Sequence, residues 1–471
     1  MKIKIHGAAG GEVTGSSYLV QTDRANILID CGMFQGGKVS EARNKLPQGA
    51  RVQDIDAVLL THGHLDHTGR VPLLVKFGYN GPIYSTTETL ELAQIILQDS
   101  ARLQVGDAMR KNRKLLKKGE PPFEALYTTE HVEFMRELTR PIKLNTPIAV
   151  AEGITATWIE AGHMLGSGSI KLEITEKARL PNGQGKKKTI IFSGDLGPIT
   201  LPLLKPFEHF NKADLVFLES TYGDRDHKPY DQTLEEFEAI IKDAYATGGK
   251  MLVPTFAIGR AQQIIYHLAD LFHSGKIPKF PVYLDSPMAL SAFNVYRNHQ
   301  DLLDEEFHAL KRKGVFPLDT QYFIPSQTAD SSKALNNIKG PCMILAGAGM
   351  CNGGRILHHL RHNLSNPNTH VLIVGFQSYG SIGRRLVEKA QKISIFGEEK
   401  IVRAHVHTLN GFSAHAGQTE LLKWFSYLAP AKPKVVITHG EDVPRKALAA
   451  CIKKQYKINA TTPKIGDVIE L

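Results

Sequence analysis

Short runs dense in Val, Ile and Leu, each closed or directly followed by a polar or turn-forming residue, recur through the first half of the chain, at residues 17–22, 25–30, 57–61, 170–175, 189–192 and 214–219. Their length and β-branched content predict buried strands. A helical period is rarer here. It is clearest over residues 87–103, where Leu90, Ala93, Gln94 and Leu97 keep a spacing near 3.6. After Tyr222 the rhythm changes: helical stretches at 232–245 and 260–274 alternate with strand-like runs at 251–254, 281–285, 342–346 and 370–374. That alternation predicts βαβ units on a parallel sheet. Strand patterns return at 404–409 and 434–440, with a helix over 419–428 between them. The expected organisation is one discontinuous domain, residues 1–222 and 400–471, interrupted by a second, 223–399.

The 471-residue length agrees with more than one core. No apolar run approaches the ~20 residues of a membrane helix. The start, MKIKIHGAAGGEV, lacks the apolar stretch of a secretory signal, so a cytoplasmic protein is expected. Cys31, Cys342, Cys351 and Cys451 stand without any CxxC spacing, which argues for reduced thiols rather than disulfides or a thiolate zinc site. With 57 Lys+Arg against 47 Asp+Glu the net charge is +10, which suits a polyanionic partner. The basic run RKNRKLLKK at 110–118 is expected to be a solvated helix face.

Candidate chemistry concentrates in THGHLDHTG, residues 61–69, directly after the apolar run AVLL. It places His62, His64, Asp66 and His67 on one turn. Imidazoles and carboxylates are zinc ligands, and four of them within six residues cannot all be buried unpaired. One turn cannot close a coordination shell, so further ligands must come from other strand ends. His163 follows TATWIEAG, Asp195 follows TIIFSG, and His439 follows KVVIT. Singly, each would pass as a satisfied turn residue; beside the first cluster they become candidate ligands.

HGHLDH, the later Gly162-His163, Ser193-Gly-Asp195 and Thr438-His-Gly-Glu441 resemble the metal motifs of the metallo-β-lactamase superfamily. Leu218-Glu-Ser-Thr-Tyr-Gly223, Gly411-Phe-Ser-Ala-His415 and Ile437-Thr-His-Gly-Glu441 resemble motifs A, B and C of its β-CASP branch. That branch holds the endonuclease subunit of the cleavage and polyadenylation specificity factor, its archaeal and bacterial relatives, and RNase J. The likeness runs from Gly10-Gly-Glu-Val-Thr-Gly-Ser16 through Gly349-Met-Cys-Asn-Gly-Gly-Arg355 and Gly375-Phe-Gln-Ser-Tyr-Gly-Ser-Ile-Gly-Arg-Arg385 to His439. It implies an αββα sandwich with an inserted parallel-sheet domain. It also implies two zinc ions per chain, one held by His62, His64 and His163, the other by Asp66, His67 and His439, with Asp195 bridging. Asp30 resembles the carboxylate that orients the ligand loop.

Two divalent ions about 3.5 to 4 Å apart can share a hydroxide and clamp both oxygens of a phosphodiester displacement. The leaving oxygen still needs a proton, and the resemblance gives that task to His415, kept charged by Glu219. Ser413 is a candidate phosphate donor, or equally a cap for the helix that follows. Ser378, Arg384, Arg385 and the neighbouring glycine loops are candidates for further phosphates. His358, His359 and His362 fit a helix surface. The implied function is a zinc-dependent ribonuclease, expected to act as an endonuclease on single-stranded RNA. A hydrolase of small esters would leave the long insert unexplained, and a silent RNA-binding scaffold would have lost ligands that this chain keeps. A DNA-directed nuclease is the nearest variant; the histidine of motif C favours RNA. Homodimerisation is common in the family and has no signature in this chain.

Overall fold

The computed structural model describes residues 1–36, 38–176 and 187–471. Two units result: Met1–Ile199, Pro206–Asp226 and His415–Leu471 form the first, Thr200–Lys205 and His227–Ala414 the second.

Among the described residues the first unit holds two seven-stranded sheets. In one, Val468–Glu470, Lys2–Ile5, Tyr18–Gln21, Asn26–Ile29, Ala57–Leu59, Ile83–Thr86 and Thr139–Ile142 lie side by side in that order. In the other the order is Ala460–Thr461, Lys434–Ile437, Leu215–Leu218, Lys187–Phe192, Gly168–Thr175, Ile154–Glu160 and Ile148–Ala151. The apolar runs are buried on both faces, and the two-residue side-chain period sorts them between layers. Val20, Ile27, Ile29 and Leu59 from one sheet meet Trp158, Leu172, Phe192 and Phe217 from the other in a shared core. The intervening Leu19, Leu28 and Val58 pack outward against helices carrying Leu74, Ala93 and Leu97. Ile191, Val216 and Val435 pack outward against Leu421, Phe425 and Leu448. The result is helices, sheet, sheet, helices.

Trp158 joins the two sheets close to the candidate ligands. Its indole N–H, fully buried, donates to the Leu60 carbonyl at 3.0 Å. Leaving that donor unpaired would cost about 1–3 kcal/mol. The helix expected over 87–103 continues to Leu116. Its first turns bury Leu90, Ala93 and Leu97, while its far end, with the basic run, is exposed and persists on the helix propensity of Ala, Met, Leu, Lys and Arg.

In the second unit the strands Ile324–Pro325, Val282–Asp285, Cys342–Ala346, Lys250–Pro254, His370–Ile373 and His405–Thr408 form a sheet in that order, parallel throughout. His405–Thr408, which the sequence groups with the closing stretch, pairs instead with His370–Ile373. Its pairing is by backbone, which side-chain pattern does not encode. His359 is a second difference: it is fully buried, not on a helix surface. Its Nε2 meets Asp285 at 2.7 Å, beside Ser332 Oγ at 2.6 Å and Arg355 Nη1 at 2.7 Å. Against the cost of burial these hydrogen bonds, that of His359 foremost, hold the Asp285 carboxyl down at about 2. His358 and His362 on the same helix are exposed, as expected. No described helix is long and apolar enough to cross a membrane.

Candidate metal centre

The candidate ligands leave the carboxyl ends of strands that, within each sheet, point one way. Asn26–Ile29 and Ala57–Leu59 run parallel, so Asp30 and the turn 61–67 emerge together. Lys187–Phe192, Leu215–Leu218 and Lys434–Ile437 are mutually parallel, so Asp195, Glu219 and His439 emerge together. Ile154–Glu160 runs in the same sense, being antiparallel to the strand that is antiparallel to Lys187–Phe192, and delivers His163. His64 begins the single helical turn Leu65–Thr68, which carries Asp66 and His67 inward. The loop after Asp30 passes so close that a Cβ on Gly32 would fall 1.5 Å from the Asp66 carbonyl oxygen. Only glycine fits there.

These seven side chains converge. His62, His64, His163 and Asp195 present ligand atoms all within 4.8 Å of one another, as do Asp66, His67 and His439. Asp195 stands between the sets. Its Oδ2 lies 3.5 Å from His62 Nε2 and 3.6 Å from His163 Nε2; its Oδ1 lies 3.3 Å from His67 Nε2 and 3.5 Å from His439 Nε2. His439 Nε2 is also 3.6 Å from Asp66 Oδ2, and His64 Nδ1 is 3.1 Å from His163 Nε2.

The fit to cations is read from the hydrogen bonds. Asp30 Oδ1 accepts from the Thr61 N–H at 2.8 Å, and Oδ2 accepts from Thr61 Oγ1 at 2.8 Å and His67 Nδ1 at 2.7 Å. With its own proton committed to Asp30, Thr61 Oγ1 accepts from His62 Nδ1 at 3.1 Å. Thr221 Oγ1 gives its proton to the His439 carbonyl at 3.3 Å and accepts from His439 Nδ1 at 3.1 Å. In all three imidazoles Nδ1 carries the proton and Nε2 offers a lone pair. Those Nε2 atoms, with Asp195 Oδ1, are buried and have no hydrogen-bond partner among the described residues. Orphaned acceptors of this kind, facing one another beside carboxylates, are what divalent cations satisfy. Burial, and repulsion from His67, drive the His62 pKa well below its usual value, and burial drives His64 down to about 4, which keeps both imidazoles neutral. At His67 burial is outweighed by Asp195 and Asp30, a field that favours positive charge between them.

Thr61 and Thr221 fall inside the ligand turn and motif A, but nothing in the sequence gives their hydroxyls a role, because threonines are common and that role depends on strands distant in the chain. Asp30 does carry one, as the last residue of an apolar run, and its removal gives a test. Asp30→Asn keeps the shape but replaces one of three accepted hydrogen bonds by an amide donor. Chelator competition should show metal affinity about 10–100-fold weaker with the thermal transition little changed. Unchanged affinity would deny Asp30 its orienting task.

Beside the cluster, His415 Nδ1 meets Glu219 Oε1 at 3.1 Å. Glu219 is buried, and the same oxygen accepts from the Leu196 N–H at 2.9 Å, while Oε2 accepts from the Thr221 N–H at 3.0 Å. Burial alone would lower the His415 pKa; the Glu219 carboxylate, helped by Asp195 and Asp66, carries it up to about 9. The His415 ring lies 4.6 Å from that of His163 and 5.7 Å from that of His439. Asp195, His415 and His439 also present atoms within 4.8 Å of one another, so position alone leaves His415 open as a third-set ligand.

Ser413, Ser378, Arg384 and Arg385 belong to the second unit. Ser413 is buried, and the helix after it starts beyond Gly417, so Ser413 is not its cap. Ser378 Oγ rests 3.2 Å from Met350 Sδ; Arg384 pairs with Glu388 at 2.6 Å, and Arg385 donates to the Lys392 carbonyl at 2.9 Å.

Comparison with known proteins gives three family matches: the metallo-beta-lactamase superfamily over residues 10–157, the Beta-Casp domain over 261–386, and the Zn-dependent metallo-hydrolase RNA specificity domain over 400–463. Ribonuclease TTHA0252 of Thermus thermophilus is 40% identical over 448 residues, 95% of each chain. Transcription termination factor FttA of Methanosarcina mazei is 30% identical over 96% of this chain and 69% of its own. A crystal structure of a protein of unknown function from Enterococcus faecalis aligns over 100% of this chain and 99% of its own, with TM-score 0.53 and 14% identity, a likeness of fold.

Proposed function

The chain belongs to the β-CASP branch of the metallo-β-lactamase superfamily and is a metal-dependent RNA nuclease, and from that premise we propose a two-zinc endonuclease acting on single-stranded RNA in the cytoplasm. The observation that carries the reading is Asp195: one carboxylate oxygen faces the His62 and His163 nitrogens, the other those of His67 and His439. One site would be formed by His62, His64 and His163, the other by Asp66, His67 and His439. Zinc held by these residues would supply a nucleophile from water near neutral pH and would offset charge on the scissile phosphate.

The remaining chemistry falls to side chains. Asp30, Thr61 and Thr221 hold their imidazoles in the tautomer that leaves Nε2 available. Glu219 takes the Nδ1 proton of His415 in a hydrogen bond, and the positive imidazole gives its Nε2 proton to the departing 3′ oxygen. The P–O3′ bond breaks as the bond from water oxygen to phosphorus forms, leaving a 3′-hydroxyl and a 5′-phosphate. Four cysteines present as free thiols agree with a reducing compartment.

Elemental analysis of protein purified without chelator should find about two zinc ions per chain, and stripping them should end cleavage. A 5′-labelled RNA should yield internal fragments of many lengths. A fully active protein holding one ion, or release of mononucleotides from the 5′ end alone, would overturn the corresponding part of this reading.

A further inference from the structure

The parallel sheet of the second unit presents its loops at the carboxyl ends of Cys342–Ala346, Lys250–Pro254 and His370–Ile373, three neighbouring strands. The chain leaves the central one, Lys250–Pro254, towards Val282–Asp285 on one side and later comes to His370–Ile373 on the other. Crevices at such a reversal are where open α/β sheets bind ligands.

Phe256 lies there, two residues past its strand, with 40% of its surface exposed. Its surroundings are shaped to hold the ring. A Cβ on Gly349 would stand 2.8 Å from Phe256 Cδ2, so only glycine admits the ring at this height. Gly375 approaches the same edge, its hypothetical Cβ 3.6 Å from Cε2. The two glycines are locked together by the side-chain amide of Gln377, itself buried, which donates to the Gly349 carbonyl at 2.9 Å and the Gly375 carbonyl at 3.2 Å. The loop then runs through Tyr379, 84% exposed, to the helix Ile382–Val387.

An exposed phenylalanine on a flexible loop needs no explanation. One braced along its edge by two glycine backbones, with 40% of its surface still open to solvent, does. Rigid exposed aromatics are how proteins hold unpaired bases, since every base has a π-face. We propose that Phe256 is a stacking platform for one nucleobase of the RNA. The proposal rests on the nuclease reading above and adds to it a base contact, independent of the phosphates.

The test uses the zinc-loaded enzyme and a set of RNA oligonucleotides, each abasic at one position. For each cleaved bond, wild-type kcat/KM should fall sharply when the base at one fixed distance from that bond is missing. Phe256→Ala should lower kcat/KM on intact RNA roughly tenfold to a hundredfold and be indifferent to loss of that base, while Phe256→Trp restores both activity and base sensitivity. Zinc content should match wild type in both variants. Cleavage by Phe256→Ala at the wild-type rate overturns the proposal, and so does a loss that is the same for every abasic position, which marks the ring as structural. If wild-type protein cuts no RNA at all, the nuclease reading falls and takes this inference with it.

Discussion

Asp195→Asn is expected to abolish RNA cleavage, by roughly 10³-fold or more in kcat, while RNA binding persists. Both oxygens of Asp195 are in use, each facing two imidazole nitrogens, so the substitution puts an amide donor against one ligand set and a neutral carbonyl against the other. Losing one preorganised electrostatic group costs about 10²–10³ in rate, and here the charge lost is the one shared between two cation sites. Binding draws instead on phosphate contacts spread over the surface. Gel shift and cleavage on one preparation separate the two, and His67→Ala should behave alike. If both variants cut RNA near the wild-type rate, the metal assignment is wrong.

His415→Ala should keep both zinc ions and lose about 10² to 10⁴ in cleavage rate, the worth of a positioned acid. His415 Nδ1 is committed to Glu219, which is itself held by two backbone N–H groups, so the ring has a fixed direction that owes nothing to a cation. A nitrophenyl phosphodiester, whose leaving group scarcely needs a proton, should suffer far less than RNA. The same three-atom proximity of Asp195, His415 and His439 makes the contrary outcome concrete. Loss of one zinc ion, or equal defects on RNA and the activated diester, would make His415 a ligand or a positioning residue.

Much of this site is legible in the chain because its ligands sit at strand ends, where an apolar run stops at a turn with a reactive side chain. His62 to His67, His163, Asp195 and His439 all announce themselves so, and Asp30 closes its run in the same way. The hydroxyls of Thr61 and Thr221 do not, although they decide which imidazole nitrogen faces the cluster. His359 shows the converse failure: helical spacing suggested a solvated face, and a buried carboxylate 74 positions earlier, Asp285, draws it inside.

What the sequence determines alone is therefore local: the strands, from runs apolar enough to be buried on both faces; the ligand turn, from four metal-binding side chains within six residues; and the family likeness carried by motifs A to C. What only the tertiary structure decides is pairing. Which sheet takes His405–Thr408, which oxygen of Asp195 faces which histidines, and which glycines admit the Phe256 ring are set by backbone hydrogen bonds and close packing between segments far apart in the chain. Hydrogen bonding of that kind is nearly blind to residue type, whereas burial is not, and so the chain writes its layers and its chemistry plainly but leaves their registration to the fold.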